Sequence, residues 1–380
     1  MDFNFTEEQI MIRDAARDFA QRELIEDVIE RDEKALYPTK HVQRLAELGF
    51  LGMMTSEKYD GGGMDTVSYV LAMEEISKVD SSVAVIMSVC NSLVNWGLEK
   101  FGNEEQKEKY LKPLARGERT GAFLLSEPEA GSDATKQHTI AEDKGDYYLI
   151  NGTKNWITNG NSAHTYLVVA HTHPEMGHKG INAFIIEKDT PGITIGPHEN
   201  KMGMRSSDTH SVMFNDVKVP KENRIGDDGF GFKFAMKTLD GGRIGIAAQA
   251  LGIASGAFER AMAYAKERKA FGKPISAHQD VAFKLADMAV KIENARNLIL
   301  KAAWMKDNKI DYGFQSAMAK YYAAEIAMEV TTEAVQIHGG YGYVREYHVE
   351  RLMREAKLTQ IYEGTSEIQK IVISRTLLRD

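Results

Sequence analysis

Few side chains of this protein carry chemistry by type and spacing alone. Glu363 stands in the run Ile361-Tyr362-Glu363-Gly364-Thr365-Ser366-Glu367-Ile368-Gln369, at the head of a short helical stretch. A glutamate there is either a general base or an exposed residue favoured by the positive end of the helix dipole, and residue types alone prefer the second reading. Gly131-Ser132-Asp133 and Gly152-Thr153-Lys154 are polar, turn-like segments beside apolar runs. Such loops can present backbone N–H groups to an anionic or carbonyl-rich ligand, as turns in most β proteins can. Asp60-Gly61-Gly62-Gly63 is too flexible for a helix interior, and a phosphate cradle would need a preceding strand and a Lys-Ser/Thr partner that it lacks. Cys90, the only cysteine, lies in the apolar run from Val83 to Leu93 with no basic neighbour to stabilise a thiolate, so it reads as a buried hydrophobe and permits no intrachain disulfide. No His/Cys/Asp/Glu spacing suggests a metal, and no Gly-x-Ser-x-Gly elbow is present. On residue chemistry alone, catalysis stays open.

The elements that must position these residues fall into three blocks. At 380 residues the chain exceeds one ordinary core. With 43% hydrophobic and 27% charged residues it reads as globular, and the net charge of −8 disfavours a general nucleic-acid binder. The start Met-Asp-Phe-Asn-Phe-Thr-Glu-Glu has no basic, apolar leader pattern, and no stretch is read as a membrane span, so a soluble, cytoplasmic protein is expected. Residues 1–120 read as helical, with Thr6 and Gln9 forming a capping box ahead of Ile12, Ala16, Phe19 and Ala20. Residues 121–232 carry short β-branched and aromatic runs: Tyr147–Ile150, Tyr166–Val169, Ile181–Ile186 and Ser211–Val219. Asn151-Gly152, Asn159-Gly160, Pro191-Gly192 and Pro220 punctuate them, as in a small sandwich or barrel. From 233 to 380 the helical period returns as a four-helix bundle. One stripe is Leu251, Ala254, Phe258, Met262 and Ala265; another is Val281, Leu285, Met288, Ile292, Ala295, Ile299 and Ala302; a third is Ala319, Ala323, Ile326, Val330 and Ile337; Ile368, Ile371 and Val372 mark a last helix.

Five segments supply what spacing cannot. Leu125-Ser126-Glu127-Pro128-Glu129-Ala130-Gly131-Ser132-Asp133, Lys154-Asn155-Trp156-Ile157-Thr158-Asn159-Gly160, Arg268-Lys269-Ala270-Phe271-Gly272-Lys273-Pro274 with Gln279, Gln336-Ile337-His338-Gly339-Gly340-Tyr341-Gly342-Tyr343, and the Glu363 segment resemble signatures of the acyl-CoA dehydrogenases, in the family's order. Met87-Ser88-Val89, Asn91-Ser92-Leu93 and Leu239-Asp240-Gly241-Gly242-Arg243 resemble its short-chain, butyryl-CoA branch. The resemblance implies an α, β, α architecture, an FAD cofactor, and oxidation of an acyl-CoA to a trans-2-enoyl-CoA with Glu363 as base. It implies electron-transferring flavoprotein as acceptor and a homotetramer built as a dimer of dimers, with no nucleic-acid or membrane partner. Some relatives carry the base in an earlier helix, directly before the arginine resembled by Arg243; here that position is Gly242, which has nothing to ionise.

Phe123, Leu125, Ser126, Gly131, Ser132, Trp156, Ile157 and Thr158 resemble contacts to the flavin and ribityl chain, and Thr365 and Glu367 resemble contacts near the pyrophosphate. Arg268, Phe271, Gln279, Gln336, Gly339 and Gly340 resemble residues donated to a neighbouring subunit's FAD, where a guanidinium suits a diphosphate. Ser132, Asp240, Arg243, Tyr362 and Gly364 resemble substrate contacts. Plain core packing is the alternative for Trp156, and His338 reads as a helix-end polar residue. The resemblance places Val83–Leu93 at the far wall of the acyl pocket. Its lack of Lys or Arg argues against a dicarboxylyl substrate, whose far carboxylate would need a cation. The rivals are the same chemistry on a branched acyl group, and a non-catalytic flavoprotein of the same fold.

Overall fold

The computed structural model describes residues 4–379. The first helix, α1 (Glu7–Phe19), opens on the expected capping box: the Gln9 N–H donates to Thr6 Oγ1 at 3.2 Å, and the Thr6 N–H donates to Gln9 Oε1 at 3.0 Å. A π-helical turn at Ala20–Leu24 follows, then α2 (Val28–Lys34), α3 (Thr39–Glu47), α4 (Thr66–Ser77) and α5 (Ser81–Ser88). A second π-turn, Val89–Asn95, joins α5 to α6 (Trp96–Phe101), and α7 (Glu104–Gln106) and α8 (Lys112–Ala115) complete the block. The run Ser81–Phe101 is in fact long and apolar enough to cross a bilayer, contrary to the sequence reading; 94% of its apolar window is buried inside the protein, which makes it a core helix. The Gly61–Gly63 loop folds onto the backbone of Met53–Thr55, where a Cβ on Gly61 would overlap Thr55. Its glycines serve close packing.

The chain then builds one mixed sheet from β1 (Gly121–Leu124), β2 (Ile140–Asp143), β3 (Tyr147–Thr158), β4 (Thr165–His171), β5 (Ile181–Glu187), β6 (Ile193–Ile195), β7 (Thr209–Pro220) and β8 (Arg224–Ile225). The order is β6-β7-β3-β2-β4-β5-β8, with β1 added parallel to β4. Tyr148, Ile150, Tyr166, Val168, Phe184, Val212 and Phe214 point to its own core. Asn151-Gly152, read from sequence as a turn, lies inside β3. The register against β7 shifts between Ile150 and Gly152; Gly152 takes φ 147°, and a side chain there would also strike Thr139, so both backbone and space call for glycine. A glycine at a bulge and a glycine in a turn leave the same mark on a sequence.

The third block is α9 (Gly231–Glu267), a hairpin of β9 (Lys269–Ala270) and β10 (Lys273–Pro274), then α10 (Gln279–Asp307), α11 (Gly313–His338), α12 (Val349–Thr359) and α13 (Ser366–Leu377). The 37-residue α9 passes close to α4 because Gly252 and Gly256 let its backbone approach that of Glu74 and Lys78. The first and third blocks therefore share one core, in which Phe19, Leu45, Val70 and Ile86 pack with Leu251, Ile299, Ile326 and Leu352. The last apolar stripe departs from expectation. In α13 only Ser366 and Gln369 are buried, while Ile371 is 41% and Leu377 67% exposed. Its inward face is polar because it closes over the turn that carries Glu363.

Candidate active site

That turn joins α12 to α13 and takes two left-handed residues in succession, Glu363 at φ 51° and Gly364 at φ 88°. A non-glycine residue held so costs about 1–3 kcal/mol, and it persists only where neighbours over-determine it. Here they do. The ammonium of Lys320 donates to the Gly364 carbonyl at 2.7 Å, and the Gln369 amide donates to the Gly364 and Glu363 carbonyls at 2.9 and 3.2 Å. Both side chains are fully buried. The Thr365 hydroxyl caps α13 by accepting from the Ile368 N–H at 3.3 Å. The N–H of Glu363 has no acceptor among the described residues.

The Glu363 backbone is partly exposed, but its carboxyl turns inward, and Oε2 is enclosed with no hydrogen-bond partner. It rests where Gly242 has no side chain: a Cβ there would overlap Oε2 and stand 2.9 Å from Leu93 Cδ2. Loss of water pushes the Glu363 carboxyl up to about 7, although the cations of Lys320 and Arg243 pull the other way. Around it the walls are hydrogen-bonded to one another. Tyr362 Oη donates to Gln249 Oε1, and Gln249 Nε2 donates to the Ser81 carbonyl at 2.8 Å. Tyr69 Oη donates to Ser88 Oγ at 3.1 Å, and Ser92 Oγ donates to the Ser88 carbonyl at 2.7 Å. Arg243, 6% exposed, reaches Asp240 Oδ1 at 2.8 Å and leaves Nε enclosed without a partner. Burial raises Asp240 in spite of that contact.

The sheet presents a second surface. Lys154, fully buried on β3, donates to the Leu125 carbonyl at 3.1 Å, Glu127 Oε1 at 2.7 Å and Gln137 Oε1 at 2.9 Å. Glu127 in turn accepts from the His138 and Thr139 N–H groups, so one buried ion pair shapes the whole 125–139 loop. The β3–β7 register shifts again between Lys154 and Ile157; at that bulge Trp156 takes φ 61° and stands 62% exposed. Core packing is thereby excluded for Trp156. Ile157 points the opposite way, into the sheet core. Phe123, Leu125, Ser126 and Thr158 are half-buried, and Gly131 and Ser132 are exposed on the same loop.

Six of the residues singled out in the sequence lie elsewhere. Arg268 ends α9, Phe271 occupies the following hairpin, Gln279 opens α10, and Gln336, Gly339 and Gly340 close α11. All six are exposed, Phe271 at 96%, and the Arg268 guanidinium lies 5.5 Å from the Tyr341 ring centre. Arg243 and Arg268 are separated by about two thirds of α9, about 37 Å at a rise of about 1.5 Å per residue.

Three family models cover the chain in the order of its blocks: the acyl-CoA dehydrogenase N-terminal domain over residues 6–118, the middle domain over 122–217 and the C-terminal domain over 229–378. The chain belongs to the acyl-CoA dehydrogenase family. It is 51% identical over 379 residues to the short-chain specific acyl-CoA dehydrogenase of Clostridium acetobutylicum, with 100% of both chains covered. Its backbone matches butyryl-CoA dehydrogenase from Megasphaera elsdenii at a TM-score of 0.98 and 51% identity, with 100% of both chains covered. A chain in a structure described as the electron transferring flavoprotein of Acidaminococcus fermentans matches at 0.99 and 52% identity, again over 100% of both.

Acyl-CoA dehydrogenases are FAD flavoproteins, and the surfaces described above fit that group. The exposed indole of Trp156 offers a face to a flat aromatic ring system, and Phe123 and Leu125 are half-buried. The hydroxyls of Ser126 and Thr158 have no partner among the described residues, which suits a ligand rich in carbonyls and hydroxyls. Arg268 has no carboxylate within ion-pair distance among the described residues, as a diphosphate contact requires. His338 ends α11 as expected but is buried, stacked 4.3 Å from Tyr264. Sequence reasoning missed Lys320, Gln369, Lys154, Tyr69 and Gln249. The one signal for them was a polar residue interrupting or flanking an apolar stripe, as Lys320 does beside Ala319 and Ala323.

Proposed function

We propose that this chain oxidises a short, straight-chain acyl-CoA to the trans-2-enoyl-CoA, with Glu363 as the base and electron-transferring flavoprotein as electron acceptor. The observation that carries the reading is the enclosed, partnerless Glu363 carboxyl beside an N–H that has no acceptor of its own. An α C–H is too weakly acidic for a hydrated carboxylate to remove, so two conditions must be met together. The base must be stripped of water, which the packing of Oε2 over Gly242 achieves. The thioester oxygen must meet a hydrogen-bond donor where enolate charge develops, and the Glu363 N–H, which has no acceptor of its own among the described residues, is assigned that role. The proton then passes from the α-carbon to Glu363, and FAD, when bound, supplies the acceptor for the hydride that leaves the β-carbon. Arg243, buried and paired with Asp240, is assigned with it to substrate contact. The hydrogen-bonded wall of Tyr69, Ser88, Gln249 and Tyr362 limits how far an acyl chain can extend.

Arg268, Phe271, Gln279, Gln336, Gly339 and Gly340 are assigned to the FAD of a neighbouring subunit. The course of α9 supports this, since the helix carries Arg268 about 37 Å from Arg243, which lies beside the Glu363 turn of the same chain. A homotetramer and a cytoplasmic location complete the proposal. The test is anaerobic bleaching of the yellow holoenzyme across an acyl-CoA series. Each buried methylene adds roughly 0.8 kcal/mol until the wall is reached, so kcat/KM should rise, peak near butyryl- and hexanoyl-CoA and fall at least about tenfold by palmitoyl-CoA. A peak at a much longer chain, or at isovaleryl- or glutaryl-CoA, refutes the short-chain assignment; no bleaching by any acyl-CoA refutes the reaction.

A further inference from the structure

Lys320 stands out among the buried charges. It lies inside α11 with no exposed surface, and no carboxylate comes within ion-pair distance of its ammonium among the described residues. An ammonium buried without a counter-ion is costly, so its retention points to a use. Its one hydrogen bond is to the Gly364 carbonyl, 2.7 Å away, in the left-handed turn that aims Glu363. The opposite charge that acts on it most strongly is Glu363 itself, ahead of Glu325 and Glu367. Glu325 is turned away, accepting from the Ser366 hydroxyl at 2.6 Å.

We propose that Lys320 is a positioning residue for the base: it pins the Glu363–Gly364 turn through the Gly364 carbonyl and brings to the enclosed Glu363 carboxyl a buried positive charge that no other carboxylate contacts. This rests on the reading of Glu363 as base. The groups that face the carboxyl are few. Lys320 comes from α11, Arg243 from α9, and the un-ionised phenols of Tyr69 and Tyr362 come from α4 and the turn itself. Arg243 is already engaged by Asp240 at 2.8 Å. Lys320 is the cation with no competing carboxylate contact. Burial drives its own ammonium down to about 8 while the Glu363 charge opposes that fall, and the Lys320 charge likewise opposes the rise of Glu363.

The experiment is a pH titration of the Glu363 carboxyl in the holoenzyme by infrared difference spectroscopy, with Glu363→Gln as the blank. Alongside it runs the pH profile of flavin bleaching by butyryl-CoA. In Lys320→Met the carboxyl midpoint should rise by about one unit or more, and the profile should move with it. In Lys320→Arg most of that shift should be reversed. A Lys320→Met protein that melts like the wild type and shows an unmoved midpoint overturns the proposal, as does a loss of rate that is equal at every pH. Should Lys320→Met not fold, reciprocity provides the measurement. The Lys320 ammonium, followed by carbon-13 NMR of labelled lysine, should titrate at lower pH in Glu363→Gln than in the wild type, and an unchanged midpoint overturns the coupling. The carboxyl titration reads Glu363 directly, so it separates failure of this proposal from failure of the dehydrogenase reading, which active Glu363→Gln would reveal.

Discussion

Burying a carboxyl that must ionise sets stability against activity at one residue. Glu363 stands near 7 when folded against 4.5 for the ordinary group. Below about pH 4.5 it is protonated in both states. Between there and about 7 the unfolded chain ionises first, so stability drains away as pH rises. Glu363→Gln has no proton to lose. It should match the wild type in urea melts at pH 4 and exceed it at pH 8, by up to about 3 kcal/mol. The same variant should keep its FAD and lose about 10²- to 10⁴-fold in turnover. Equal stability at pH 8 would mean that the carboxyl is hydrated after all. Gly242→Ala tests the seat of the carboxyl. A methyl group there overlaps Oε2, so flavin content should stay normal while bleaching slows, by as much as about 100-fold for a displacement of about 1 Å. An unchanged rate would show that the base does not occupy this seat. None of this burial was legible from the residues around Glu363. The enclosure comes from α9 and the second π-turn, distant in sequence, and only the resemblance of the nine-residue segment singled the residue out.

At the scale of elements, the apolar stripes of α9, α10 and α11 and the main strands followed from period alone, because a packed face must repeat with its backbone. What the period could not show were the polar groups buried for positioning. Lys154 is the clearest, a lysine in a strand whose neighbours read as turn. The misreading of α13 has the same origin: its polar face points inward to hold a backbone turn, and its apolar face points out. Lys154→Met should leave Glu127 buried and unpaired, at a cost of about 3–5 kcal/mol, and should loosen FAD retention by freeing the 125–139 loop. Adding Glu127→Gln should recover much of the stability. A single variant as stable as the wild type in urea would show that the pair does not organise the loop.

For the whole molecule, the exposed Phe271, Leu377 and Leu378 are apolar surface of the kind that the proposed homotetramer would cover. Arg268→Ala should therefore weaken FAD retention and oligomer stability together, because a ligand shared across an interface stabilises both by mass action; full flavin content in a sedimenting 42.5 kDa monomer would contradict this. The span of α9 has a consequence for mixtures. If each catalytic centre takes Glu363 from one copy and Arg268 from another, two damaged parents can rescue each other. Glu363→Gln and Arg268→Ala chains, unfolded together and refolded at equal amounts, assemble at random, so about half of the pairs are hybrids. Each hybrid holds one doubly damaged centre and one with every residue native. About a quarter of wild-type activity should reappear from two preparations of low activity. Activity no higher than the mean of the two parents would place Arg268 and Glu363 in the service of the same subunit.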